Sequence, residues 1–313
     1  MDSATLTDVI DGFEALCGTG GSAPDTRELV TMTGPEAGRY LQGQLSQDVV
    51  VLAVGASAWS LLLQPTGKVD AWLRVHRTGD EEYALDVDLG WGEAVIARLR
   101  RFLLRTKAEI GEVEVREVLS VRHEATLVQI GAEPPGGAEG RLAGVVAGPS
   151  VAGVDWILPA GDAAAEEATV PAAALERYRV AHAVPRMGAE LTDATIPGEA
   201  GQWLVQASVD FAKGCYTGQE LVARIDSRGN TVPRPVRLLR IDQPEAMPVP
   251  GAAILHDGAE VGRVTSAVPA LGEGHPALVL APVGRAVAVG TQVTVELDGS
   301  AVPATLVDPP MRP

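Results

Sequence analysis

Apolar residues recur at two spacings along this chain, and the alternation between them lays out its elements. Val9, Ile10, Phe13 and Leu16 form one helical stripe, and the run from Cys17 to Pro24 reads as a flexible Gly-rich connection. Leu29 to Gly34 reads as a strand feeding a short helix from Pro35 to Gln42, with proline in its first turn. Trp59 to Leu63 and Val69 to Val75 flank the turn Gln64-Pro65-Thr66-Gly67-Lys68, a hairpin pattern. Tyr83 to Val87 is a further strand. From Gly90 to Leu104, Val95, Ile96, Leu99, Phe102 and Leu103 keep helical spacing, with Arg98, Arg100, Arg101 and Arg105 between them as a solvated face. Glu112 to Val121 and Thr126 to Ile130 alternate as strands, Pro134 to Gly140 is a loop, and Val170 to Ala183 is a helix opened by Pro171.

The pattern changes after Gly229. From Val232 to Val307 the chain is short β-branched runs broken by Gly, Pro and the turn pairs Asp257-Gly258 and Asp298-Gly299. This is the signature of a small barrel of about six strands. The expected division is residues 1–230, two α+β units, and residues 231–313, a C-terminal β-barrel. Strands and helices mix without regular βαβ alternation, which favours α+β over a doubly wound sheet. No GxGxxG or Walker pattern is present, so a nucleotide cofactor has no support.

Charge and cysteine content narrow the function classes. The 313 residues carry 25 basic and 41 acidic side chains, a formal net charge of −16. Such a field repels phosphate backbones, which argues against direct nucleic-acid binding. No apolar run approaches the ~20 residues of a membrane span, and the first residues lack a signal-peptide pattern, so the expected location is the cytoplasm, with no membrane partner. The two cysteines, Cys17 and Cys215, have no neighbours at metal-ligand spacing.

The most informative stretch runs from Asp210 to Gly229. Thr217 and Glu220 stand three apart before Leu221, Val222 and Ile225, a capping-box pattern, and Gly229 is placed to stop the helix. Cys215 then precedes a helix N-terminus and lies two residues from Lys213; both features favour the thiolate, which makes Cys215 a candidate reactive group. The same residues also suit a small buried thiol beside a solvated lysine. Cys17 has no basic neighbour in sequence and reads as a packing residue.

Lys213-Gly214-Cys215-Tyr216-Thr217-Gly218-Gln219-Glu220 resembles the K-G-C-Y-x-G-Q-E signature of the YgfZ-type folate-binding proteins, relatives of the glycine-cleavage aminomethyltransferase (T-protein). Gly34-Pro35 through Tyr40-Leu41-Gln42-Gly43-Gln44-Leu45-Ser46-Gln47-Asp48-Val49, Gly67-Lys68-Val69, Arg179 to Gly188 and Gly262-Arg263-Val264-Thr265-Ser266 resemble other segments of that group. The resemblance runs from about residue 28 to residue 300. It implies a T-protein-like fold with tetrahydrofolate in a central cavity. It also implies a role in iron–sulfur cluster assembly or repair, with iron–sulfur client or assembly proteins, tRNA-modifying enzymes included, as partners. It places function on Cys215, Lys213 and Tyr216, with Lys213 lowering the thiol pKa or binding an anion. Folate contacts fall on Gln44, Asp48, Lys213, Gly214, Gln219, Glu220 and Arg224.

Departures from the T-protein pattern bear on activity. Asp70-Ala71-Trp72 stands where T-proteins carry an Asp pair, and Ala181 and Ala183 replace the pterin-gripping Glu and a glycine. The resemblance therefore implies a folate binder without aminomethyltransferase machinery. A one-carbon transferase acting on another amine remains the alternative, with Asp48, Asp70 and Glu199 as its candidate carboxylates. A scaffold that no longer binds a ligand is a third reading.

Overall fold

The computed structural model describes residues 3–122, 140–243, 247–297 and 300–311. Helix α1 (Ser3–Cys17) leads into β1 (Gly21–Thr33), α2 (Ala37–Gln44), β2 (Ser57–Leu63), β3 (Val69–Arg77), β4 (Glu82–Asp88), α3 (Gly92–Arg100) and β5 (Glu109–Arg122). Then come β6 (Leu142–Val145), β7 (Gly153–Ile157), α4 (Ala172–Ala181), α5 (Gln202–Ser208) and α6 (Gln219–Ser227). The last seven strands are β8 (Val236–Ile241), β9 (Ala253–His256), β10 (Ala259–Arg263), β11 (Ser266–Val268), β12 (Ala277–Pro282), β13 (Gln292–Leu297) and β14 (Ser300–Val307).

Two seven-stranded antiparallel sheets result, in the orders β2-β3-β4-β1-β5-β7-β6 and β10-β9-β13-β14-β8-β12-β11. In the first, the sheet curls until its outer strands meet. Ser57 Oγ on β2 donates to Ala143 O on β6 at 2.8 Å and accepts from Val145 N at 3.1 Å. The second also curls back on itself: Gly262 near the end of its edge strand β10 bridges Val283, just past β12, the strand next to the opposite edge. Leu239, Ile254, Val279, Val293, Val295 and Leu306 fill its interior. The mixture of helices with two antiparallel sheets is the expected α+β class, with a C-terminal barrel of seven strands where about six were expected.

Helix α4 joins the two halves. Tyr178 and Leu175 pack with Phe13 and Leu16 of α1 and with Leu238, Leu278 and Leu280 of the second sheet. Arg177 Nη1 and Nη2 donate to the carbonyls of Pro269 and Pro276 at 3.0 and 2.8 Å. Among the described residues that side chain is a cation without a carboxylate partner, and burial pulls its pKa down to about 10.

Several local expectations need correction. The run Cys17–Pro24 is not a flexible connection: Cys17 ends α1, and Gly21 to Pro24 pairs with β5 from Arg122 to Leu119. Backbone pairing along β5 overrides the composition there. Helix α3 ends at Arg100, short of Leu104. The turn Asp257-Gly258 has both residues at positive φ, 50° and 79°, as a two-residue hairpin demands. Asp298-Gly299, the strand expected at Thr126–Ile130 and all of the Pro134–Gly140 loop but its last residue lie outside the described residues. Among the described residues no helix is long and apolar enough to cross a membrane.

Candidate functional site

The concave face of the first sheet is charged. Residues opposite one another in register share a face, and alternate residues along each strand return to it. Register therefore puts Asp25 and Arg27 of β1, Trp72, Arg74 and His76 of β3, Asp86 and Asp88 of β4, Arg122 of β5 and Asp155 of β7 on one side, with Trp59 of β2. Asp86 lies at the centre, bonded by Arg27 Nε, by His76 Nε2 and by Arg74 Nε at 2.9 Å. Asp155 takes Arg74 Nη1 on one oxygen and Arg122 Nη1 on the other, both at 2.7 Å. Asp88 takes Arg27 Nη1 at 2.5 Å and the Met187 amide at 2.8 Å. Burial alone would raise the carboxyl of Asp86. The guanidiniums of Arg74 and Arg27 and the bond from His76 more than reverse it, holding that carboxyl well below the usual range. The same opposition brings Asp155 down to about 2, with Arg122 the largest lowering influence.

Between this face and α4 lies a cleft that opens to solvent. Its walls include Asp25, Arg27, Trp59, Trp72, Asp88, Arg122, Asp155, Tyr178, Arg179 and Arg186. Trp59 and Trp72 stack at 3.9 Å between centroids, with the Arg74 guanidinium 5.0 Å from the Trp59 ring centre. Among the described residues, Trp59 Nε1 and Arg122 Nε are buried donors with no hydrogen-bond partner. Unsatisfied buried donors are costly, so two of them on one cavity wall mark a place that a ligand's acceptors would satisfy.

The signature loop, residues 213–220, lies elsewhere. It packs on the loop after α2 and on the β2–β3 turn, and none of its residues lines the cavity. Lys213 Nζ donates to the carbonyls of Gln42, Leu45 and Gln47 at 2.8, 2.6 and 2.8 Å. An ammonium has three protons, so all are engaged and none is left for Cys215. The expectation that Lys213 acts on the thiol or binds an anion is corrected: it clamps the α2 loop. Burial pulls the Lys213 pKa down to about 8, against Asp48 and Asp210. Its ammonium lies 5.3 Å from the Tyr216 ring centre.

The capping box is also absent. Helix α6 starts one residue later than that pattern requires, with Gly218 as N-cap at φ 82° and no side-chain cap. Thr217 N donates to Gly43 O at 3.1 Å, and Gln219 Oε1 accepts from Tyr216 N at 3.2 Å. A Cβ at Gly218 would stand 2.4 Å from Gln64 O. Docking on the hairpin, not a local cap, fixes this helix start. Gly229, at φ 76°, does end the helix region.

Cys215 is exposed, with Gly214 and Glu220 exposed beside it and Arg224 one turn further along α6. Cys17 is buried in the α1–α4 core, which agrees with its reading as a packing residue. Gln44 Oε1 accepts from Arg98 Nη1 at 3.3 Å, and Asp70 Oδ2 accepts from Arg98 Nε at 2.8 Å. Arg98 is thus a buried link under this region, not part of a solvated face. Asp48 accepts from Gln42 Nε2 at 3.1 Å, and Glu199 Oε2 from Ile196 N at 3.0 Å. All three candidate transferase carboxylates are held in local bonds away from the cavity. The cavity wall itself was missed in the sequence. Its only signal was charge at alternate strand positions (Asp25/Arg27, Arg74/His76, Asp86/Asp88), which ordinarily marks the solvated side of a sheet.

Residues 234–312 match the family described as the glycine cleavage T-protein C-terminal barrel domain. A tRNA-modifying protein YgfZ of Vibrio vulnificus (strain YJ016) is 30% identical over 217 residues, covering 66% of this chain and 65% of that protein. The chain thus spans just under two thirds of that relative. A protein of the same name from Aliivibrio fischeri (strain ATCC 700601 / ES114) is 28% identical over 234 residues, covering 72% of each. A mitochondrial iron–sulfur cluster assembly factor IBA57 homolog of Mycosarcoma maydis is 26% identical over 218 residues, 65% of this chain and 53% of that protein. The crystal structure of the glycine cleavage system aminomethyltransferase T of Bartonella henselae shares the fold. Its TM-score is 0.76 at 20% identity, over 96% of this chain and 89% of that one. With the signature loop, the C-terminal barrel and these relatives together, the chain belongs to the YgfZ-type family related to the glycine-cleavage T-protein.

Proposed function

We propose that this protein binds a reduced folate in the cavity between the first sheet and α4. There it supports assembly or repair of iron–sulfur clusters in client enzymes of the cytoplasm, tRNA-modifying enzymes among them. The observation that carries the folate half is the pair of orphaned donors, Trp59 Nε1 and Arg122 Nε, on the wall of this cleft. The donor set suits the ligand. Trp59 and Trp72 offer aromatic surface to a flat ring system, and Arg122 and Arg186 offer guanidinium groups to glutamyl carboxylates. Bound tetrahydrofolate would supply one-carbon chemistry through its N5 and N10.

The client half rests on the signature loop. Cys215 is displayed outside the cavity by a loop that Lys213 clamps from beneath, which suits a thiol offered to another protein. One cysteine supplies one cluster ligand, so the remaining ligands belong to the client that carries the cluster as cargo. Glu220 and Arg224, exposed nearby, would meet that client.

Calorimetry with 5-formyltetrahydrofolate, together with complementation of a strain lacking the protein, tests both halves. The expected result is saturable folate binding by the wild type and by Cys215→Ala, with complementation lost in Cys215→Ala and kept in Cys17→Ala. No heat at millimolar folate would remove the first half. Normal complementation by a stably folded Cys215→Ala variant would remove the second.

A further inference from the structure

We infer that Asp25 is the residue that grips the paired N–H edge of the pterin. This rests on the folate reading of the cavity and deepens it. Four carboxylates stand on the charged face, and three are matched. Asp86, Asp88 and Asp155 each accept from at least one guanidinium. Asp25 does not: among the described residues its one side-chain hydrogen bond is from Thr26 N to Oδ1, at 2.9 Å. It lines the cavity, and strand alternation sets it on the same side of β1 as Arg27. Asp25 is half-buried.

The cavity therefore holds a free acceptor as well as the two orphaned donors already described. A pterin presents two adjacent N–H donors, at N3 and the 2-amino group, and a carboxylate meets such a pair bidentately. Asp88 and Asp155 cannot substitute, since each already neutralises a buried guanidinium. The charge environment agrees. Burial raises the Asp25 carboxyl above the usual range, although Arg186, beyond α4, and Arg27, on β1, pull it down, and Asp155 on β7 raises it slightly. A ligand that donates two N–H groups favours the carboxylate, so binding should release a proton wherever the empty site holds one.

Calorimetry of the full-length protein with 5-formyltetrahydrofolate, and with a folate analogue lacking the 2-amino group, tests this. Asp25→Asn should weaken the parent folate about 100-fold, the scale of a lost charge-assisted pair. The analogue should bind wild type and variant about equally weakly. Para-aminobenzoylglutamate, the tail alone, should be indifferent to the substitution. Wild-type affinity should rise with pH through the Asp25 titration, with proton release that varies with buffer ionisation heat, and the variant should show neither. Unchanged folate affinity in Asp25→Asn would overturn the assignment and leave the folate reading standing. No binding by the wild type would overturn both. Should the variant fail to fold, equal wild-type affinity for the parent and the analogue would still overturn the assignment.

Discussion

Lys213 and Cys215 lie two residues apart, yet they do different things. The lysine is turned under the loop against three carbonyls, and the cysteine is turned out. Removing the ammonium leaves those carbonyls without their donor, so Lys213→Met should destabilise the fold by about 2–4 kcal/mol. Urea denaturation gives that number, and a loss below about 0.5 kcal/mol would mean that water replaces the lysine. In the native protein iodoacetamide should modify Cys215 and spare Cys17 until unfolding, which mass spectrometry of the alkylated chain reads directly. His182, at the end of α4, presents a second residue-scale effect. Burial lowers its pKa to about 4, against the bond of its Nδ1 with Tyr178 O. An unfolded histidine binds its proton near pH 6.5, so between about pH 6.5 and 4 only the unfolded state is charged. Stability should therefore fall as the pH drops through that window, by about 1.4 kcal/mol per unit for this one site. His182→Gln should flatten the fall, and an unaltered slope would assign it to other groups.

At the scale of elements, the start of α6 is set by contact with the β2–β3 turn. Gly218 and Gly67 face each other closely: a Cβ on Gly67 would stand 2.4 Å from Leu221 Cβ, and one on Gly218 2.7 Å from Leu63 Cβ. Gly218→Ala adds a positive-φ penalty to that clash, so it should cost about 2–3 kcal/mol and loosen the signature loop. Thermal melting and faster amide exchange across residues 213–220 would register it; wild-type exchange there would mean the loop holds without the hairpin. This contact also explains what was readable beforehand. The β2–β3 hairpin, α4 and the Asp257-Gly258 turn announce themselves by local periodicity and turn chemistry, and they stand where expected. The start of α6 and the first residues of β1 depend on partners far away in sequence, Gln64 for one and β5 for the other. Capping and composition rules have no access to such partners. The cavity was hidden for a related reason: alternating charge is the same string whether a sheet faces water or curls around its own polar side.

For the whole molecule, the consequence of that curl is a single ion network that spans five of the seven strands. Arg27 on β1, Arg74 and His76 on β3, Asp86 and Asp88 on β4, Arg122 on β5 and Asp155 on β7 are tied in one group, most of it buried. Buried pairs add little over a well-packed apolar core, yet breaking one leaves an uncompensated charge, at about 3–5 kcal/mol. Asp86→Asn should therefore lower stability by that amount, since Arg27, Arg74 and His76 all lose their shared anion. A more exposed pair gives the contrast: removing Glu114, which bonds Arg116 two residues along β5, should cost about 0–1 kcal/mol. The pH dependence carries the sign. Asp86 and Asp155 have folded pKa values below the unfolded value near 4, so their stabilisation is complete above pH 4. It is lost as the pH falls toward 2, where Asp155 titrates. Wild type should thus unfold steeply in acid, and Asp86→Asn should start lower and lose less between pH 4 and 2. Because the group is shielded from solvent, 1 M salt should leave the difference at neutral pH nearly intact while abolishing the small contribution of the Glu114 pair. An Asp86→Asn protein as stable as wild type, with the same acid slope, would mean that the strands hold their curl by packing alone and that the charges only line the cavity they enclose.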